Sequence, residues 1–205
     1  MEVGFLQKYD PQSVSEFGAD IVFSDEMNST PDAYDLSKIS NLRPFINLSV
    51  FSEPVYHTKY TSDVSYIGPI SDMESSLLEI YKLGHNVRNY FGTPSLLPCY
   101  SGSIPANECW HIYKSSLVCP IPKSDVGYRE LDIIASDGNP LKYTNKDEFI
   151  SEALKGISGK RFKLSTSKTS IFGGNTNFDR VAQILTEIGF SAVAKKILQE
   201  KKCLV

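Results

Sequence analysis

From residue 63 to residue 155 the sequence alternates between short β-forming runs and helical runs, and this alternation limits the fold more than any other feature. Val64-Ser65-Tyr66-Ile67-Gly68 reads as a strand that stops at a glycine, and Gly68-Pro69 as a tight turn. Ser71-Asp72-Met73-Glu74 fits a capping box. Met73, Leu77, Leu78 and Tyr81 follow at helical spacing until Gly84 stops the helix. Strands at 86–91, 117–121 and 139–143 then alternate with helices at 106–115, 127–138 and 146–154. This pattern predicts an α/β fold, a Rossmann-like doubly wound parallel sheet with helices on both faces. Ligands in such sheets lie beyond the carboxyl ends of the strands, here Gly68, Gly92, residues 121–125 and Tyr143.

The flanks are less regular. Residues 19–23 read as a strand, 32–39 as a short helix and 45–51 as a further strand. A loop over 93–105 holds three prolines and is long enough to suggest function. Residues 177–188 form a helix with Val181, Ile184, Leu185 and Ile188 on its inward stripe, and residues 191–201 a last amphipathic helix. The expected organisation is a shortened N-terminal part at 1–62, a nucleotide-binding domain at 63–190 and a terminal helix at 191–205.

Composition removes several classes. A net charge of -3 argues against a general nucleic-acid binder. The 4 cysteines form no CxxC pair and the 3 histidines have no ligand-like spacing, so no metal site is expected. The cysteines read as buried thiols of a reducing compartment. No run is long enough to span a membrane and no signal peptide is evident, so the expected location is the cytoplasm. Lys195, Lys196, Lys201 and Lys202 read first as a solvated face, and otherwise as contacts to a membrane or an acidic partner.

The stretch from Gly127 to Pro140 concentrates the chemistry. Arg129 and Asp132 lie three apart and share one helical face, while Leu131, Ile134 and Ala135 are apolar on the other. Gly138 reads as the helix stop, with Pro140 preventing continuation. A helix that begins with a charged, polar face pointed at a loop reads either as a phosphate and ribose site or as an ordinary end to an αβ unit.

Four stretches carry a resemblance, in order. They are Tyr66-Ile67-Gly68-Pro69; Tyr100-Ser101-Gly102-Ser103-Ile104-Pro105 with Trp110-His111-Ile112-Tyr113-Lys114-Ser115-Ser116; the segment opening Arg129-Glu130-Leu131-Asp132 and closing Ala135-Ser136-Asp137-Gly138; and Thr176-Asn177-Phe178-Asp179-Arg180-Val181. They resemble, respectively, the first strand and turn of the nucleotide-binding domain, the Y-x-G-x-(V/I)-P…(I/L)-Y-x-S segment, R-x-F-E-x-L-A-S-G-G and H-T-Y-x-x-R-V of the GT-B glycosyltransferases, group 1, CgeB-like type. The resemblance covers residues 63–190. It implies transfer of a sugar from a nucleotide-diphospho-sugar to an acceptor hydroxyl, with no metal and no cofactor beyond the donor itself. It places Gly68, Pro69, Arg129, Lys123 and Tyr113 with Asp132 in the donor site: backbone and basic side chains on the diphosphate, Asp132 on the ribose. His57, Asp25 and Glu26 are the candidate general bases.

The sequence also departs from that pattern. Aspartate stands at 132 where glutamate is usual, Asp137 replaces the first glycine of the pair, and the first acid of the E-x7-E motif falls at Ser124. Fewer residues precede Asp63 than a full acceptor domain needs. A homodimer or a separate acceptor-binding subunit would complete such a half. The alternative reading is a non-catalytic nucleotide-sugar-fold module that works by docking to another chain.

Overall fold

The computed structural model describes residues 3–6, 21–24, 39–41, 46–48, 51, 53–69, 73–91, 95–121, 127–162 and 167–202. Strands β1 (Val3–Leu6), β2 (Ile21–Ser24) and β3 (Ile39–Asn41) form a parallel three-stranded sheet in that order. A second sheet is built from β4 (Ser62–Ile67), β5 (Val87–Tyr90), β6 (Ser116–Pro120) and β7 (Pro140–Leu141). All its pairings are parallel, and its strand order is β5-β4-β6-β7. Helices α1 (Glu74–Lys82), α2 (Cys109–Lys114), α3 (Tyr128–Ala135) and α4 (Lys146–Ile157) connect and flank these strands. Helices α5 (Lys168–Gly174), α6 (Asn177–Glu187) and α7 (Ser191–Lys201) follow. The protein is thus a mixed α/β chain with a parallel four-stranded sheet flanked by helices, as the alternating sequence requires.

Side-chain alternation along the strands sorts the core into two layers. Val64, Tyr66, Val87, Val118 and Leu141 face Met73, Leu77 and Ile80 of the α1 region and Phe149 and Ala153 of α4. On the other side, Ile67, Cys119 and Ile121 meet Cys109 and Tyr113 of α2 and Ile133 of α3. Burying an aliphatic side chain of this kind contributes about 1.5–3 kcal/mol, so the two layers hold the sheet between helices.

The chain leaves β4 toward β5 through α1, then crosses back over β4 through α2 to reach β6. From β6 it continues outward to β7 through α3. The direction of winding therefore reverses between β4 and β6. A crevice opens at such a reversal, beyond the carboxyl ends of the two strands.

Two local expectations change, and two others fall wholly or mostly outside the described residues. The described residues of the expected strand at 45–51, which are 46–48 and 51, hold no strand: Ile46 makes a single parallel bridge to Thr176, and the Phe51 amide donates back to the Asn47 carbonyl at 3.0 Å. The β-forming residues serve instead to seat Ile46 and Phe51 against Ile134, Ile171 and Phe172. The helix expected at 32–39 falls mostly outside the described residues, and Ile39 opens β3. Helix α1 begins after Met73 with no side-chain cap, and Ser71 lies outside the described residues. In α6 the expected apolar stripe turns partly to solvent, with Val181 43% exposed while Arg180 and Ala182 are buried. Helix α6 packs mainly on α7, so only a narrow face is covered.

Residues 53–60 lie against the second sheet and its helices. The Val55 amide donates to His111 Nδ1 and the His57 amide to Ser115 Oγ, both at 2.9 Å.

Candidate functional site

Four of the residues singled out in the sequence, Gly68, Tyr113, Arg129 and Asp132, come together at the carboxyl ends of β4 and β6. Strand β4 ends at Ile67, and Gly68 turns away with a φ of +146°. A side chain there would be strained, and it would also be crowded: a Cβ on Gly68 would stand 3.0 Å from Arg129 Nη2 and 3.2 Å from the Tyr66 hydroxyl, so those groups would have to give way. Arg129 reaches this point from the first turn of α3. Its guanidinium carbon lies 5.0 Å from the centroid of the Tyr66 ring. A cation over a buried aromatic face gains about 0.5–2 kcal/mol, which fixes the guanidinium at the end of the sheet. The glycine, the ring and the cation form one packed unit.

Helix α3 is entered through Gly127, which has a φ of +106° and supplies no capping side chain. The helix closes differently from the expected glycine stop. Asp137, not Gly138, takes the left-handed position, at φ +55°. The Gly138 amide donates to the Ile133 carbonyl at 2.8 Å and the Asp137 amide to the Ile134 carbonyl at 3.0 Å. That pair of bonds is a Schellman closure. Gly138 is needed for closeness rather than for its φ: a Cβ would stand 2.8 Å from Ile133 Cγ2 and 3.0 Å from the Ile133 carbonyl oxygen. The closure is tied outward by Asp137, which accepts from Lys114 at 2.8 Å and Lys168 at 3.1 Å.

Asp132, one turn beyond Arg129, acts with it on two groups of α2. The Tyr113 hydroxyl is fully buried and pushed well above its ordinary pKa, first by burial, then by the Asp132 charge, with Arg129 opposing. Burial and Asp132 push the Cys109 thiol up to about 11. Burial likewise takes Cys119 to about 12. At neutral pH these groups are protonated; Tyr113 is a hydrogen-bond donor and the thiols are not nucleophiles. Asn89 on β5 braces the same turn. Its Nδ2 donates to the Gly68 carbonyl at 3.1 Å and the Tyr66 carbonyl at 3.3 Å, and its Oδ1 has no partner among the described residues.

Gly68, Arg129, Asp132 and Tyr113 therefore converge, with Pro69 exposed beside them. Lys123, Asp25 and Glu26 lie outside the described residues. His57 is placed elsewhere. Its ring stands edge-on to His111 with centroids 4.9 Å apart. Cys109 and Tyr113, one turn apart on α2, face α3, and His111 projects from the opposite side of that helix. Lys142 is paired with Glu130 at 2.6 Å. Sequence reading missed Tyr66, Cys109 and Asn89 as parts of the site. The i, i+4 spacing of Cys109 and Tyr113 could have signalled the α2 face, but nothing local signals that Tyr66 supports Arg129.

Among the described residues no group of three histidine, cysteine or acidic side chains is arranged to hold a metal ion, and no helix is long and apolar enough to cross a membrane. No protein-family model and no curated protein matches the chain. Solved structures do show similarity. A point mutant of T4 phage BGT in complex with UDP-glucose is 12% identical with a TM-score of 0.42, over 86% of this chain and 61% of that one. The T4 phage β-glucosyltransferase matches at the same identity and score, over 98% and 70%. The glycotransferase of kitacinnamycin matches at 10% and 0.35, over 96% and 56%. This chain spans about three fifths of the first of these proteins. A likeness of this degree carries no functional argument, and the reading that follows stands on the crevice.

Proposed function

We propose that the crevice between β4 and β6 is the donor site of a GT-B-type glycosyltransferase that takes a nucleotide-diphospho-sugar. The observation that supports it is the placement of Arg129 at the carboxyl end of β4, on the Tyr66 ring and against Gly68. A guanidinium presents a planar set of donors suited to phosphate oxygens. Held at a winding reversal beside the first turn of α3, it faces the place where a diphosphate would lie. Asp132 is one helical turn away, at a distance suited to a ribose hydroxyl next to that diphosphate. Tyr113, kept protonated, adds a neutral donor on the same side.

In this mechanism the leaving diphosphate develops charge as the sugar bond breaks, and Arg129 with the α3 amides stabilises it without a metal. The acceptor hydroxyl needs a base that the described part of the crevice does not identify. The placement of His57 behind α2, away from the crevice, is the observation behind a second reading: a nucleotide-sugar module that binds its ligand but requires another chain for turnover.

Thermal unfolding with a panel of UDP-, GDP-, TDP- and ADP-sugars tests the donor site. A ligand present at 100 times its Kd adds about 2.7 kcal/mol of stability, a shift of several degrees. No shift with any donor at millimolar concentration would overturn the reading. With a binding donor in hand, release of free nucleotide that survives EDTA supports the metal-free enzyme, and binding without release supports the module.

A further inference from the structure

We propose that a cavity between α5, α6 and α7 binds an anionic amphiphile: one alkyl chain ending in a phosphate or carboxylate. The cavity holds about 730 Å³ and is lined by Lys168, Phe172, Asp179, Leu198, Lys201 and Lys202, with Thr169 and Gly173. That volume lies in the range of small-molecule sites. This proposal is independent of the donor crevice, with which the cavity shares no lining residue.

The wall is built rather than loosely gathered. Lys201 is 7% exposed, and its Nζ donates to Asp179 Oδ2 at 2.6 Å, Asp179 Oδ1 at 2.7 Å and the Gly173 carbonyl at 3.1 Å. Asp179 also accepts from Thr176 Oγ1 at 2.6 Å and the Thr176 amide at 2.8 Å. One lysine and the one carboxylate of the described lining thus neutralise each other and fix the wall. Lys168 and Lys202 are left to set the sign of the rim. Lys168 does contact a carboxylate, Asp137, but shares it with Lys114.

The rest of the lining is carbon. The Phe172 ring, Leu198 and the methylene stems of the lysines supply it. Leu198 is 37% exposed, a large aliphatic group open to water. An apolar wall under a cationic rim matches a chain with an acidic head. It fits neither a bare phosphate, which gains nothing from Phe172 and Leu198, nor a neutral chain, which gains nothing from the lysines.

The fold supplies a readout. Phe172 packs edge-on against Phe51, and Phe51 against Trp110, with ring centroids 5.3 Å apart in each pair. Trp110 is the only tryptophan of the chain. Occupation of the cavity moves Phe172 and so alters the indole emission.

The experiment titrates the full chain with dodecyl phosphate below its micellar concentration, following Trp110 fluorescence, and repeats this with inorganic phosphate and with dodecyl maltoside. The expected result is a saturable change with dodecyl phosphate and binding at least tenfold weaker for both controls. Co-sedimentation with phosphatidylcholine vesicles, with and without phosphatidic acid, separates the sources. Capture by the acidic vesicles supports a bilayer lipid as ligand. Saturable binding of dodecyl phosphate without capture supports a free one. The double variant Lys168→Glu/Lys202→Glu should weaken dodecyl phosphate at least tenfold while keeping the melting temperature. If that variant does not fold, Leu198→Gln, at a half-exposed position, should weaken it severalfold. Equal response to dodecyl maltoside, unchanged affinity in the folded variants, or no binding of dodecyl phosphate overturns the proposal.

Discussion

Arg129 and Lys201 are both basic side chains set in place by the fold, and they are set in place by different means. Lys201 spends its three ammonium protons on Asp179 and the Gly173 carbonyl inside a closed network. Arg129 is positioned by shape: the face of Tyr66 on one side and the bare Cα of Gly68 on the other. A cation enclosed by a carboxylate holds structure together. A cation set against an aromatic ring and a glycine at the end of the sheet stands where the proposed ligand would lie. The contrast is broken if Lys201 governs donor binding or Arg129 governs stability.

The largest effect is expected at Lys201. Removing one member of a buried pair leaves the other charge without compensation, at a cost of about 3–5 kcal/mol. Lys201→Met should lower stability by that order in urea unfolding, and at low temperature the surviving folded protein should still bind the donor. Arg129→Ala should do the reverse. Loss of charged hydrogen bonds to a diphosphate is worth about 1.5–3 kcal/mol, roughly ten- to a hundredfold in Kd by calorimetry, with stability lowered by about 0.5–2 kcal/mol from the lost contact with Tyr66. Arg129→Lys should recover only part of the affinity, because an ammonium cannot reproduce the planar stack. A stability loss at Arg129 larger than that at Lys201 would dissolve the distinction.

Gly68→Ala tests the support itself. The added methyl meets Arg129 Nη2 and the Tyr66 hydroxyl at a backbone angle that disfavours alanine. A cost of about 1–3 kcal/mol is expected from such strain, along with weaker donor binding because the guanidinium must move. Unchanged donor affinity in a folded Gly68→Ala protein would detach Gly68 from the site.

The two regions also differ in how much of each was legible. The β4–α1–β5 unit could be read because each element states its own period: alternating Val64 and Tyr66, then Met73 and Leu77 on one helical face, with Gly84 ending the helix, although Ile80 and not the expected Tyr81 completes the buried face. The convergence of Gly68 and Arg129 followed from topology once the strands were assigned, since both stand at carboxyl ends. What sequence could not supply was long-range. Residues 45–51 have strand chemistry, but among the described ones Ile46 finds only a one-residue bridge, because its partner is Thr176 rather than a strand. His57 has the chemistry of a base, yet the face of α2 that it meets depends on how that helix is rotated. Gly138 looked like a conformational stop, whereas crowding by Ile133 explains it, and Asp137 carries the unusual angle.

Asp137 joins the two regions, since it closes the helix that carries Arg129 in its first turn and accepts from Lys168 at the rim of the cavity. Burial alone pushes its carboxyl up, but the hydrogen bonds and charges of Lys114 and Lys168 outweigh that and hold it below the ordinary value of 3.8. A folded-state pKa below the unfolded one means that the unfolded chain binds the proton first. The contribution is therefore fully present above the ordinary aspartate range and is lost as pH falls through the depressed value. Its size is small, because the side chain is 45% exposed and water screens both lysines. Asp137→Asn keeps a residue that tolerates the left-handed backbone and removes only the charge. It should cost less than about 1 kcal/mol at pH 7, and the gap to the parent protein should close below the folded-state pKa, measured by denaturation across pH. A gap that widens on acidification would mean that Asp137 is held by burial and not by its lysines.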